Sequence, residues 1–478
     1  MFTFQRHLRF AWMGAALPCA AIACAAISAH AQEPEQEPEA DSPPPPPEVV
    51  QVERPRTEKR PVPNYDRRPE QPTDAGDVAL WVPRVLAFPF YLVTEFVIRR
   101  PLGWLVVTAE REDWPTTLID FFTFDEEQKI GWVPTAFFDF GFKPSVGLYF
   151  FADDVFVEGN DIRANVGFWG TDWLKFAARD RVQLDETTEV QLGGSWVRRP
   201  DYLFHGIGPR TEEGTASRYS ADIGEAFLSY DIGLWRWSSF EAQVGVRDVT
   251  FRESSCCGDP SIQERARAGE LAVPAGFESG YTAGYARVRA ALDTREPEPA
   301  AGHGMRVEAF GEQNVEVDPD RLPNRWVKYG GKVGGFLDLT GHRRVLSFWL
   351  ASSFVDPLGG RELAPFPELA LLGGSQEMRG FREGRLHGRS ALVSTLQYDW
   401  PVWVWLQGTL HVAAGNVFGE HLEDFEPELL RLSSAIGFRS MTSDDHYLEV
   451  LTGVGTETYE QGWEVSSFRL LLGGNSGF

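Results

Sequence analysis

From about Gly131 to Phe478, apolar and polar residues alternate. Ile162, Ala164, Val166 and Phe168 interleave with Arg163, Asn165 and Gly167. Phe240, Ala242, Val244 and Val246 interleave with Glu241, Gln243 and Arg247, and Ala286, Val288, Ala290 and Leu292 with Arg287 and Arg289. Near the end Phe468, Leu470 and Leu472 alternate with Ser467 and Arg469. A period of two belongs to a pleated strand, whose successive side chains point to opposite faces. About sixteen such segments follow one another: 131–141, 144–152, 161–170, 172–184, 188–199, 216–231, 235–252, 279–293, 303–315, 325–340, 344–355, 388–400, 404–417, 430–441, 445–457 and 464–478. At roughly 10–15 residues they exceed ordinary globular strands and suit a tilted membrane crossing. Connections after even strands are mostly short (185–187, 232–234, 341–343, 401–403). Those after odd strands include the long ones (200–215, 253–278, 356–387, 418–429). Outer-membrane barrels share this asymmetry, with short periplasmic turns and long external loops.

The predicted fold is therefore all-β: a transmembrane antiparallel β-barrel of about sixteen strands over 131–478, preceded by a short helical segment. Closure has a physical reason. Lipid cannot satisfy a free strand edge, so every backbone group must pair within the sheet. The last residue, Phe478, ends an alternating strand with an aromatic, as a barrel-closing C-terminal signal does.

The segments upstream break the rhythm. Arg6 and Arg9, the apolar run Phe10 to Ile27 and Ala29-His30-Ala31 compose an export signal over 1–31. Residues 32–76 hold 12 of the 32 prolines among Glu, Gln and Arg; such a tract cannot bury a core and reads as a disordered linker. It is a passive spacer or an arm for peptidoglycan or a periplasmic partner. Residues 77–130 are apolar but broken by Pro83, Pro89 and Pro101 and carry Glu95, Arg99 and Arg100. They fit short amphipathic helices that lie in the inner leaflet or pack against a barrel mouth.

Composition narrows the function. With 69 acidic against 45 basic residues the formal charge is −24, which argues against a nucleic-acid partner, because counterion release needs a basic face. No zinc-protease, serine-hydrolase, phosphate-loop or paired-cysteine redox motif is present, so the sequence points to no enzyme, cofactor or metal. Past the signal, Cys256 and Cys257 are the only cysteines; adjacent, they make a vicinal ring or, the reading preferred here, two plain loop residues. Arg163, Arg247, Arg287 and Arg289 face the lumen, where they pair with acids such as Glu241 or line an anion path.

The stretch Leu371-Leu372-Gly373-Gly374-Ser375-Gln376-Glu377-Met378-Arg379-Gly380-Phe381 lies in the long connection before the twelfth strand. Its Met378-Arg379-Gly380-Phe381 resembles the (V/L/M)-R-G-(F/Y) loop of the BamA/TamA-like outer-membrane assembly-factor superfamily. Phe204-His205-Gly206-Ile207-Gly208-Pro209 and Asp293-Thr294-Arg295 are similar to further stretches of that family's barrel. The resemblance implies a loop folded back into the lumen with Arg379 packed inside. Where the family carries acids for this Arg, the chain has Gln397 and Ala413. Arg379 is then left with Gln397, backbone carbonyls, water or a different acid, and His411 faces the same interior. No pattern for a polypeptide-transport-associated domain precedes the barrel, so the resemblance is to a short member.

The alternation predicts an outer-membrane protein in contact with lipid, and the resemblance implies that it assists insertion, assembly or translocation of a macromolecular client through a weak seam between first and last strands. The alternatives are a passive channel or transporter, and a structural tether acting through the proline-rich arm.

Overall fold

The computed structural model describes Phe88, Leu92, Glu95, Phe96 and residues 100–112, 120–125, 127–296, 302–317, 324–341, 343–359, 363–375, 377–403, 406–440 and 446–476. The export signal, the proline-rich tract and Phe478 lie outside the described residues. Eighteen strands follow helix α1 (Arg100–Arg111): β1 (Ile130–Asp139), β2 (Ser145–Asp153), β3 (Asn160–Phe168), β4 (Leu174–Gln183), β5 (Thr188–Phe204), β6 (Ser217–Gly233), β7 (Ser239–Glu253), β8 (Tyr281–Asp293), β9 (Gly304–Glu316), β10 (Arg325–Asp338), β11 (Val345–Leu358), β12 (Ala370–Leu372), β13 (Leu386–Gly388), β14 (Ser390–Trp403), β15 (Leu406–Phe418), β16 (Arg431–Ser440), β17 (His446–Thr456) and β18 (Val465–Ser476). A second helix, α2 (Ile262–Ala268), sits in the loop after β7. Its start is fixed by a capping box between Ser261 and Glu264, and Gly269 ends it in the left-handed conformation.

Sixteen of the strands close into one antiparallel barrel in chain order, with β1 meeting β18; β12 and β13 form a separate hairpin. All sixteen segments read from the alternation are strands. The period of two survives as the division of the wall: on β17 Glu449 and Leu451 are buried towards the lumen, while Leu448 and Val450 face outward. Val166, Phe168, Phe176, Leu192, Val244 and Phe348 are likewise exposed on the outer face. Such an apolar exterior is stable only in lipid.

The wall is uneven. β5 and β6 have 17 residues each, whereas β1 to β4 have 10, 9, 9 and 10. Inside the loop end of the tall side lies an apolar cluster of Phe204, Tyr219, Ala221, Ile262, Phe277, Phe366 and Leu369, built from β5, β6 and the two longest loops.

The lumen arginines are paired. Arg163 reaches Asp153 at 2.7 Å and Asp161 at 2.8 Å, Arg247 reaches Glu368 at 2.8 Å and Glu225 at 3.1 Å, Arg287 reaches Glu312 at 2.5 Å, and Arg289 reaches Glu241 at 3.3 Å. This matches the solvating reading rather than the anion path. Cys256 and Cys257, read as plain loop residues, are instead joined in a vicinal disulfide. The turn that holds them places Cys257 at positive φ and so brings the two sulfurs together.

Candidate functional site

The connection from β11 to β14 does not stand away from the barrel. It folds inward as the β12–β13 hairpin, with Ala370 opposite Gly388 and Leu372 opposite Leu386. Its tip closes on itself: Gly373 N–H donates to Glu377 O at 2.8 Å, Gly374 N–H to Phe381 O at 2.9 Å and Phe381 N–H to Met378 O at 3.0 Å. Met378 takes a positive φ of 59° to make the turn. Met378 and Phe381 are fully buried, each worth roughly 1.5–3 kcal/mol of apolar burial.

The wall is shaped to receive this tip. A methyl group on Gly380 would stand 2.0 Å from Val454 O, so only glycine allows the loop to lie against β17. A methyl group on Gly455 would strike the Phe381 ring at 2.4 Å. Gly380 N–H donates to Ser433 Oγ of β16 at 2.8 Å, and Ser467 Oγ of β18 donates to Gly380 O at 3.4 Å.

Arg379 pairs with Glu449 of β17. The different acid foreseen among its options is thus on the strand next to the last one. Gln397 lies across the same cavity and donates instead to Asp399 at 2.8 and 3.0 Å; His411 Nδ1 is 3.4 Å from Gln397 Oε1. The cavity is polar, about 280 Å³ in volume, and is lined by Lys332, Glu377, Arg379, Gln397, His411 and Glu449 among others. Glu377 is held from three sides: by Lys332 at 2.8 Å, Trp349 Nε1 at 2.9 Å and Thr395 Oγ1 at 3.2 Å.

Beside the docked loop runs the seam. β1 and β18 share three rungs, Phe137–Gly473, Phe138–Leu472 and Asp139–Leu471, followed by one bond from Phe140 N–H to Leu470 O at 2.8 Å. Across it Arg469 forks onto Asp139, with Nε at 3.1 and 3.2 Å and Nη2 at 2.9 Å. Both residues are almost fully buried. The remaining arm of Arg469 donates to Gly374 O and, at 3.3 Å, to Arg379 O. One guanidinium therefore holds the first strand, the last strand and the loop tip. Bidentate geometry and saturated donors are what make a buried charge tolerable.

A second polar knot fixes the base of the loop at the loop end of the barrel. Arg385 donates to Glu213 at 3.0 Å and to Thr211 O at 3.0 Å, and shares Glu457 with the fully buried Arg431. Gly208 N–H, in the Phe204–Pro209 stretch, donates to His387 O of β13 at 2.8 Å. The Phe204–Pro209 stretch thus touches the hairpin that carries Met378–Phe381, whereas Asp293, at the end of β8, pairs with Arg295 and Arg306 instead. Burial works against the Glu213 carboxylate, but His205 and then Arg382 and Arg385 overcome it and hold it at about 2. Burial pushes His205 down to about 4 and His387 to about 3, so both are neutral at neutral pH.

Asp139, Glu449, Arg469 and the glycines of β17 were not singled out from the sequence. Their signal is lumen parity: Glu449, Gly453 and Gly455 share one face of one strand, an acid and two gaps in line. Nothing in the local sequence says that this face meets a loop some 70 residues earlier.

No protein-family profile and no curated protein matches the chain. Solved structures do. The crystal structure of BamA from Haemophilus ducreyi lacking POTRA domains 1–3 superposes with a TM-score of 0.50 at 13% identity, covering 72% of this chain and 70% of that one. The chain has the barrel fold of BamA. CdiB from Acinetobacter baumannii (TM-score 0.45, 12% identity, 73% and 60% covered) and CdiB from Escherichia coli (0.45, 11%, 72% and 62%) are also similar, and the chain spans less than two thirds of each CdiB. A closed sixteen-strand wall of this kind, apolar outside and polar within, is a bacterial outer-membrane protein.

Proposed function

We propose that this BamA-like barrel is a member of the BamA/TamA-like superfamily that assists insertion, assembly or translocation of a macromolecular client at the outer membrane. It works by opening between β1 and β18. The observation that carries the reading is the seam: three rungs held by one buried ion pair, in a barrel whose other joints have at least seven rungs. A strand joint this short is the one place where the wall parts at small cost in hydrogen bonds. The residues of the resemblance, Met378, Arg379, Gly380 and Phe381, would set the resting state by docking against β16, β17 and β18, while Gln397 and His411 line the cavity below. The loop end of the lumen is filled by the apolar cluster and the docked hairpin, which speaks for a gated device rather than a standing pore.

The test is a lock. Phe138→Cys with Leu472→Cys, a directly opposed pair, is oxidised in the native membrane, and the outer-membrane proteome is followed. Loss of outer-membrane proteins that returns on reduction is the expected result. A fully crosslinked seam with an unchanged proteome would overturn the reading.

A further inference from the structure

The seam ends before β1 does. Below Phe137, β18 continues along β17 as far as His446–Ser476, while β1 continues along β2 down to Ile130–Ala152. The two strands fork, and among the described residues none of β18 pairs with residues 130–136 of β1. Strand parity sets which groups face this gap. Phe140 N–H points to β18 and Ile130 O accepts from Phe124, so the even residues turn their backbone groups to the open side. One of them is Pro134, which has no N–H to leave bare, a usual protection of an edge.

The foot of this edge, at Ile130 and Gly131, is covered by the chain itself. Asp125 accepts from the N–H groups of Lys129 (3.0 Å) and Ile130 (2.8 Å) and closes a tight turn. That turn lays Thr123 antiparallel against Gly131 and lets Phe124 N–H donate to Ile130 O at 2.9 Å. The Phe122 ring meets Trp132 edge-to-face at 5.0 Å, and Phe121 packs on Phe122 in the same way. A methyl group on Gly131 would stand 2.5 Å from Phe122 O, so the glycine there admits the covering segment. Phe121 and Phe124 are themselves about two-thirds exposed, and both suit the membrane interface. The cover is a single rung with one ring pair, far shorter than any strand joint in the wall.

We infer that Phe121–Phe124 is an internal seam cap: a surrogate strand that occupies the open lower edge of β1 at rest and yields it to an incoming extended segment. The inference rests on the seam reading and adds its regulation. An extended segment of alternating apolar and polar residues continues the β1 ladder over 130–136 and gains more rungs than the cap gives up. The cap therefore competes directly with whatever pairs there.

The test uses the full chain in lipid nanodiscs, with the photo-crosslinking residue benzoylphenylalanine at Ala136 and a synthetic peptide of residues 464–478 as the probe strand. Three forms are compared: the parent, Phe122→Ala, and the cap locked by Phe124→Cys with Ile130→Cys. Phe122→Ala should raise the adduct yield roughly two- to tenfold, the range of one aromatic pair. The locked form should lose the adduct, and reduction of the same folded sample should restore it. Equal yields in all three, or a lock that does not protect the edge, would overturn the cap. The assay contains no client, so an exchangeable cap beside a proteome indifferent to the seam lock would leave the cap standing and remove the function. A client-active seam with an indifferent cap would do the reverse.

Discussion

The β5–β6 joint and the β1–β18 joint are made of the same backbone, and they differ fivefold in rungs: 15 pairs against three. At about 3.3 Å per residue, β5 runs roughly 55 Å and β1 roughly 33 Å along the strand. The tall joint carries its ion pairs as additions. Arg198 and Asp222 bond at 2.8 and 3.0 Å there, but half in reach of water. The short joint carries Asp139–Arg469 in place of missing rungs. Where the ladder is long, side-chain chemistry is spare; where it is short, one buried pair carries a larger share of the joint.

The largest expected effect follows from that contrast. Asp139→Ala strands a buried guanidinium and should cost about 3–5 kcal/mol, whereas Asp222→Ala in the tall joint should cost about 1 kcal/mol or less. Denaturant midpoints of the barrel refolded into vesicles measure both, and equal losses would abolish the distinction. Next comes Arg379→Ala, which leaves Glu449 buried and alone at a cost of about 3 kcal/mol. An external protease should then cut within 363–389 while the barrel keeps its heat-modifiable migration; a loop still protected would mean that Met378 and Phe381 suffice to hold it.

Acidification tests the loop base. A released Glu213 takes up its proton near 4.5, the docked one only at about 2, so its contribution to docking is full above 4.5 and is lost as pH falls towards 2. His205 and His387 act with the same sign: released they protonate near 6.5, docked only at about 4 and about 3. Protease sensitivity of the loop should therefore rise steadily as pH drops from 6.5 to 3. A loop that tightens over that range would contradict the assignment. The smallest change expected is at Lys143–Asp172, where the acid is half exposed. Asp172→Asn should shift stability by about 0.5 kcal/mol at most.

The alternation gave away the wall because lipid and lumen impose opposite chemistry on every second residue, as in Ile162 to Phe168. It understated the tall side. β5 runs on past residue 199 to Phe204 across a break in register between Arg199 and Tyr202, and a bulge of this kind erases the period locally. The β12–β13 hairpin went unseen because three residues are too few to show any period. At the site, Arg379 and Phe381 were legible through the motif. Glu449 and Arg469 were not, since a lumen acid and a lumen arginine resemble the many that merely solvate one another. The vicinal disulfide was undecidable in sequence, as it depends on one backbone angle at Cys257.

Arg469 grips Asp139 with one side of its fork and the carbonyls of Gly374 and Arg379 with the other. Withdrawing the hairpin thus deprives the seam of part of its bolt, and parting the seam would loosen the hairpin by the same free energy, because coupling between two equilibria is reciprocal. A molecule that grasps the protein from outside the cell and one that pushes between its strands from within would be helping each other without ever touching.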